Sequence, residues 1–219
     1  MSQINNQPKK FPYVELATAP RSAGVYAWYA SLSIYASDLD EFERTLAKLN
    51  NNRVDAMKYV ETTLDNLFLK KYREDEFQIT LRGALKPKYE GEAKHVPLAS
   101  AGLIERLIED PTRLRVIADA INTAAPFFTA PLYIGMAKNL RERLMRHKNT
   151  IDSMYDSLKS VSAPDLKDGD AGFARQVVAR GFNPTSLFVY IHEIDVRTNE
   201  QVDIESILNR INFPIFGRN

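Results

Sequence analysis

Cysteine is absent from this sequence of 219 residues. Its absence excludes disulfides, thiolate zinc sites and cysteine nucleophiles, so oxygen or imidazole groups would have to hold any metal ion. Histidine is also scarce, with three in the whole chain. A metal centre built mainly from histidines is therefore not expected.

Long apolar runs are missing as well. No segment approaches the roughly 18 apolar residues that cross a bilayer, and the first residues lack the apolar stretch of a signal peptide. We therefore expect a cytoplasmic protein with no membrane partner. The opening MSQINNQPKK is polar, and residues 1–10 are predicted to form a disordered tail.

The sequence also lacks an excess of positive or negative charge. Lys and Arg together number 29 against 28 Asp and Glu, which gives a net charge of +1. The molecule as a whole does not attract nucleic acid electrostatically. Any nucleic-acid function must rest on a local basic face.

Hydrophobic periodicity divides the chain into α and β segments. Strands are predicted at 23–30, 131–136 and 187–194, where β-branched and aromatic residues are frequent. Helical spacing predicts two helices within 38–72, separated near 50–52, and two more within 101–124, separated at Asp110 and Pro111. It also predicts one helix that begins near 138 and a last helix that ends at Pro214. Residues 77–96 suggest a basic hairpin around a Lys86-Pro87-Lys88 turn, and the Ser/Asp/Gly/Pro-rich stretch 162–170 suggests a loop.

Without residues 31–130, the order of elements is strand, strand, helix, strand, helix. This order predicts an α+β fold in which a small core, residues 11–30 and 131–219, is interrupted by a mainly helical insertion, residues 31–130.

A basic segment follows the second core strand. If a helix begins near Lys138, then Arg143, Arg146 and His147 share a face, with Asn139 one turn before Arg143. A cationic face that carries an imidazole suits the binding and polarisation of a phosphate. The charges taken alone are more typical of a solvated helix.

Together with the segments around it, this stretch resembles the GIY-YIG nuclease family. Gly24-Val25-Tyr26 matches the GIY element and Tyr133-Ile134-Gly135 the YIG element. Arg143 stands at the family arginine in Asn139-Leu140-x-x-Arg143, and His147 stands at the usual histidine. Glu205 precedes Pro214 by nine residues, which is the family spacing for the catalytic glutamate. The order of these elements is a stronger signal than either tripeptide.

Three features depart from the family pattern. The two tyrosines are separated by residues 27–132, whereas the family loop is short, although restriction-type members carry insertions here. Met136 follows YIG where Lys or Ser is usual. Gly217 stands three residues after Pro214, where the family has an asparagine, and the nearest asparagines are Asn212 and Asn219.

The resemblance implies an antiparallel three-stranded sheet flanked by helices, and a DNA endonuclease that hydrolyses phosphodiester bonds with one Mg²⁺ or Mn²⁺ ion. Glu205 would hold the metal and Arg143 would stabilise charge on the phosphate. Tyr26 would act as general base with help from His147, and Tyr133 would position the phosphate or water. A phenol has an ordinary pKa of about 10, so the site would have to lower the pKa of Tyr26.

Residues predicted to bind substrate are Lys138, Asn139, Arg146, Asn219 and, from the hairpin, Lys86 and Lys88. The insertion is expected to serve as a DNA clamp, a dimer interface, a partner surface or a packing elaboration. Restriction or phage defence is the implied role, and double-strand cleavage would need a homodimer or two successive cuts. Two alternatives stay open: an inactive binding module, and a nuclease for single strands or RNA.

Overall fold

The computed structural model describes residues 7–73, 77–83, 86–93, 98–159, 168–194 and 200–216. The chain divides into two compact units. The first comprises Met1–Ser33 and Asp119–Asn219, and the second comprises Ile34–Ala118. The second unit lies wholly within the stretch predicted as an insertion. Among the described helices, none is both long and apolar enough to span a membrane.

An antiparallel sheet of four strands organises the first unit. The strands are β1 (Lys9–Pro12), β2 (Gly24–Ala30), β5 (Tyr133–Ala137) and β6 (Leu187–Glu193), in the order β1-β6-β2-β5. This sheet is accompanied by α5 (Leu140–Lys159), α6 (Asp168–Ala179) and α7 (Glu200–Asn212), and by 3-10 turns at Tyr13–Thr18 and Pro184–Ser186. The class is mixed α and β, as predicted.

The sheet has one strand more than the three predicted. The extra strand is β1, which pairs with β6 and places Phe11 opposite Val189. Lys9 and Lys10 therefore lie in a strand, although the sequence places them in a disordered tail. Their polarity is misleading because lysines are common on edge strands, where they discourage further pairing. Lys9 also forms an ion pair with Glu193 on β6, with 3.1 Å between Nζ and Oε1.

Helix α5 covers one face of the sheet. Its inward stripe includes Leu140, Leu144, His147 and Ile151 at helical spacing, each no more than 1% exposed. His147 is therefore on the buried stripe of the helix. Arg146, predicted to share its face, is exposed instead, because adjacent residues of a helix lie about 100° apart.

Helix α6 was not predicted. Its first residues, 168–170, belong to the stretch expected to be a loop, where Asp and Gly weaken helix propensity. Packing overrides that weakness, since Phe173, Ala174 and Val177 are buried and α6 lies against α5. Residues 162–167 of the expected loop lie outside the described part of the chain.

The second unit is mainly helical. It contains α1 (Ala36–Lys48), α2 (Arg53–Leu64), α3 (Ala101–Glu109) and the first part of α4 (Arg113–Phe128), and α2 continues as a π turn, Asp65–Leu69, and a 3-10 turn, Lys70–Tyr72. The predicted break near 50–52 is confirmed, with the Asn52 side chain accepting a hydrogen bond from Asp55 N at 3.2 Å. The core of this unit consists of Phe42, Leu46, Ala56, Val60, Leu64, Ile104, Leu107 and Leu114.

A hairpin of β3 (Phe77–Gly83) and β4 (Lys86–Ala93) belongs to the same unit, as predicted. Its turn was placed wrongly, however. Gly83 pairs with Lys86, and Lys86-Pro87-Lys88 belongs to β4 instead of forming a turn. A proline is tolerated there because both strands of a two-stranded ribbon are edge strands, and the register shifts between Leu81 and Gly83.

Candidate functional site

The pairing of β2 with β5 brings the two motif tyrosines together. Tyr26 lies opposite Gly135, and Trp28 lies opposite Tyr133. Because paired residues of antiparallel strands project from the same face, Tyr26 and Tyr133 are diagonal neighbours. Their ring centroids are 6.2 Å apart. The prediction that strands distant in sequence are adjacent in space is confirmed.

Both motif glycines are required by close contacts. A β-carbon at Gly135 would lie 2.5 Å from Oη of Tyr26 and 2.8 Å from Cε1 of Tyr133. A β-carbon at Gly24 would collide with the backbone carbonyl of His192 on the other neighbouring strand. Gly135 therefore leaves room for the two phenols, and Gly24 allows β2 and β6 to approach.

Asn139 caps helix α5, which begins at Leu140, two residues after the predicted start near Lys138. Its Oδ1 accepts from Glu142 N at 3.2 Å, which is an N-cap hydrogen bond. The next two amides, of Leu140 and Arg141, donate to the carbonyls of Ser22 and Pro20, each at 3.0 Å. These bonds fix the first turn of α5 to the segment that leads into β2.

A hydrogen-bonded group forms where α5 crosses β2. Tyr26 Oη lies 2.9 Å from Nε2 of His147, and Arg143 Nε donates to the same oxygen at 3.3 Å. Tyr26 is 2% exposed and His147 1%, whereas Arg143 is half-buried. The phenol oxygen is thus held between an imidazole and a guanidinium, with the guanidinium nearer to solvent.

Aromatic rings enclose the imidazole of His147. Its ring centroid lies 5.8 Å from Tyr133, 5.4 Å from Phe173 and 6.3 Å from Trp28, with edge-to-face geometry in each case. Sequence reasoning missed Phe173 because it lies on α6, the helix that was not predicted. The Phe173 ring also packs at a tilt against the Tyr133 ring, with 5.2 Å between their centroids.

Glu205 lies apart from this group. It is half-buried on α7, and its Oε1 accepts from Asn209 Nδ2 at 3.0 Å. Within the described residues, no hydrogen bond or ion pair joins Glu205 to Tyr26, Arg143 or His147. The structure thus assembles four of the five predicted catalytic residues, Tyr26, Tyr133, Arg143 and His147, and places the glutamate outside their contacts.

The described residues contain no group of three His, Asp or Glu side chains that would enclose a metal ion. Mg²⁺ does not need one, because it keeps several waters and takes few protein ligands. The Asn209 Oδ1 is buried and has no hydrogen-bond partner among the described residues. The Glu205 carboxylate and the neighbouring Asn209 Oδ1 are oxygen ligands of the type that a divalent cation such as Mg²⁺ binds.

The predicted substrate-binding residues differ in their surroundings. Lys138 is exposed just before α5, and Arg146 is exposed on the second turn of that helix. The Asn139 side chain, in contrast, forms the N-cap of the helix. Lys88 in the hairpin forms an ion pair with Glu90. Asn219 lies outside the described residues, as does the Lys86 side chain.

A cavity of about 440 Å³ lies against the sheet, and Tyr26 is among the residues that line it. Val25, Ala27 and Tyr29 of β2 line it, together with His192 of β6. Burial raises the pKa of Tyr29 above its ordinary value.

Comparisons with models of protein families, with curated proteins and with solved structures each found no match.

Proposed function

We propose that this protein is a divalent-metal-dependent DNA endonuclease of the GIY-YIG type, with a small nuclease core interrupted by a helical insertion. One observation carries the proposal: Tyr26, His147 and Arg143 form a hydrogen-bonded group beside Tyr133. These residues lie on β2, β5 and α5, and these elements follow one another along the chain in the order of the GIY-YIG motif. A role in restriction or phage defence belongs to this proposal.

The hydrogen bonds give Tyr26 the surroundings that a general base needs. In the tautomer with a proton on Nδ1, His147 Nε2 accepts the Tyr26 proton across 2.9 Å. The phenolate that results stays 3.3 Å from the cationic Arg143 Nε–H, which stabilises its charge. The phenolate then takes a proton from the water that attacks the phosphorus. A half-buried Tyr133 at the rim positions that water or the phosphate.

Arg143 has a second task in this mechanism. A guanidinium carries five N–H donors in a rigid plane, and the Nε–H is directed at Tyr26. A planar guanidinium suits a phosphate, whose negative charge grows as the water attacks. The same cation would therefore stabilise both the base and the transition state, which makes Arg143 the residue whose loss should be most harmful.

Glu205 would hold the divalent cation, with Mg²⁺ or Mn²⁺ as the expected ion. When bound, the ion would neutralise charge on the phosphate oxygens and the leaving group. The carboxylate of Glu205 is half-buried and takes a hydrogen bond from Asn209, which orients it. In this proposal nucleic acid completes the site by lying between α7 and the Tyr26 group.

The test is cleavage of supercoiled plasmid with Mg²⁺ by the full chain. Wild type should nick or linearise the plasmid, and Arg143→Ala and Glu205→Ala should each lower the rate by about 100-fold or more. Matched controls are Arg210→Ala and Asp203→Ala, which remove exposed charges of the same kinds on α7. Cleavage at the wild-type rate by both site variants would show that the site is assigned wrongly.

A second function is favoured by one observation, the separation of Glu205 from the Tyr26 group. An inactive domain of this type would serve as a nucleic-acid or protein-binding module. Binding of duplex DNA in EDTA, with no cleavage under Mg²⁺ or Mn²⁺, would support this second function. Cleavage that Glu205→Ala abolishes would exclude it.

Substrate choice can be tested with one sequence supplied as duplex DNA, single-stranded DNA and RNA. We expect duplex DNA to be cut fastest. Faster cleavage of a single strand or of RNA would select the third alternative. If duplex is cut on both strands, the dependence of the rate on protein concentration distinguishes a homodimer from two successive cuts.

A further inference from the structure

Helix α7 carries two amide side chains, the buried Gln201 and the half-buried Asn209, that have buried polar atoms with incomplete hydrogen bonds. Gln201 is 0% exposed, and neither its Oε1 nor its Nε2 has a partner in the described part of the chain. Asn209 donates from Nδ2 to Glu205, but its buried Oδ1 has none there either. Buried polar atoms in folded proteins are almost always satisfied, by protein groups, by water or by an ion.

The two amides flank Glu205 on one side of the helix. Residues four apart are separated by roughly 40° around a helix, so Gln201, Glu205 and Asn209 form a continuous row. The row carries two amide oxygens and a carboxylate. Carboxylate and amide oxygens, with water, are the ligands that hard divalent cations take in proteins.

We infer that this row is a binding site for one hydrated divalent cation, in which Asn209 Oδ1 is the second protein oxygen beside Glu205. The Gln201 side chain would hydrogen-bond the water ligands of the ion. The inference rests on the proposed function for the carboxylate of Glu205, and it adds the two amides, which the sequence motif does not include. Because a single carboxylate binds such an ion weakly, the amides would supply much of the affinity.

The inference can be tested without nucleic acid by titrating Mn²⁺ into the full chain and following free Mn²⁺ by EPR. Asn209→Leu and Gln201→Leu remove the amides while keeping similar volume. Each should weaken Mn²⁺ binding by about 10-fold, the usual effect of losing a group that supports a metal ligand. Asp203→Asn, on the same helix but exposed, should bind as wild type does.

Asn209→Asp keeps the inference falsifiable if the leucine variants fold poorly. In EDTA its melting temperature should fall, because a second carboxylate then faces Glu205. Saturating Mn²⁺ should raise that temperature by more than it does for wild type. An equal or smaller rise, or wild-type affinity in both leucine variants, would overturn the inference and mean that the amides bind water alone.

These measurements are separable from the test of nuclease activity. Mn²⁺ binding that depends on Asn209 in a protein with no cleavage activity would support the inference and sink the proposed function. Cleavage that Glu205→Ala abolishes, with no effect of the leucine variants on Mn²⁺ affinity, would support the proposed function and overturn the inference. Absence of Mn²⁺ binding by wild type at millimolar concentration would overturn the inference.

Discussion

Tyr26 and Gly135 face each other across β2 and β5, and the phenol of Tyr26 occupies the space over the glycine. A methyl group at this position would lie 2.5 Å from Oη and 2.6 Å from Cζ of Tyr26. We predict that Gly135→Ala displaces the phenol from His147 and Arg143. Overpacking of this kind costs about 1–3 kcal/mol, and activity should fall far more than stability. Urea unfolding and plasmid cleavage measure the two effects.

The control for this variant is Gly91→Ala. Gly91 lies in β4, and a β-carbon there would have no atom within 4 Å. Its unfolding free energy should stay within about 0.5 kcal/mol of wild type or rise. If Gly135→Ala behaves like Gly91→Ala in both assays, the phenol does not depend on the glycine.

The order of the motif elements was enough to predict the sheet neighbours. Tyr26 and Tyr133 could be paired from sequence because a hairpin tip tolerates an insertion without changing the register of its strands. Arg143 and His147 followed from helical spacing. Phe173 could not be predicted, since α6 depends on burial against α5 rather than on its own propensity.

The fourth strand shows a second limit of sequence reasoning. Lys9 and Lys10 look like a solvated tail because their side chains are polar, but strand pairing is made by backbone groups. Glu205 shows a third limit. Its spacing to Pro214 predicts the helix and the residue, but spacing along α7 contains no information about its distance from Tyr26.

Removing the Tyr26 hydroxyl should affect the site without disturbing the sheet. Tyr26→Phe keeps the ring but removes the contacts with His147 at 2.9 Å and Arg143 at 3.3 Å. We expect a loss of about 1–3 kcal/mol in unfolding free energy, because buried partners are left incomplete. The cleavage rate should fall by about 100-fold or more, as loss of a general base requires.

Tyr29→Phe is the matched control, on the same strand but on the opposite face of the sheet. Its ring packs against Phe188 and Tyr190, and burial raises the pKa of its phenol. Stability and cleavage should both stay close to wild type. Equal losses of activity in the two variants would argue against a specific role for the Tyr26 hydroxyl.

Acid should loosen the edge of the sheet through Glu193. The Ser22 hydroxyl, which donates to this carboxylate at 2.7 Å, and then Lys9 hold its pKa below the ordinary value of 4.5. A depressed folded-state pKa stabilises the protein above the unfolded pKa, and the contribution is lost as pH falls through the folded value. Ser22→Ala should therefore be less stable than wild type near pH 6.

The difference between Ser22→Ala and wild type should shrink as the pH falls below the ordinary carboxyl pKa of 4.5 and through the depressed pKa of Glu193, where this carboxyl becomes protonated in both proteins. Urea unfolding at a series of pH values measures it. Glu193→Gln provides the reference, since it removes the titrating group and should abolish this part of the pH dependence. A difference that stays constant over the whole range would exclude the carboxylate as its source.

Variants of Asn139 can distinguish whether its side chain caps the helix or binds the substrate. Its side chain caps α5 through Glu142 N, and α5 carries both Arg143 and His147. Asn139→Ala should lower the unfolding free energy by about 1 kcal/mol, the usual cost of a lost N-cap, while Asn139→Ser should keep most of it because serine caps helices well. We expect kcat/KM for cleavage of Asn139→Ser to lie within about twofold of wild type, since the cap holds the first turn in place. A serine variant that is stable but cuts many times more slowly would instead show that the amide contacts the substrate.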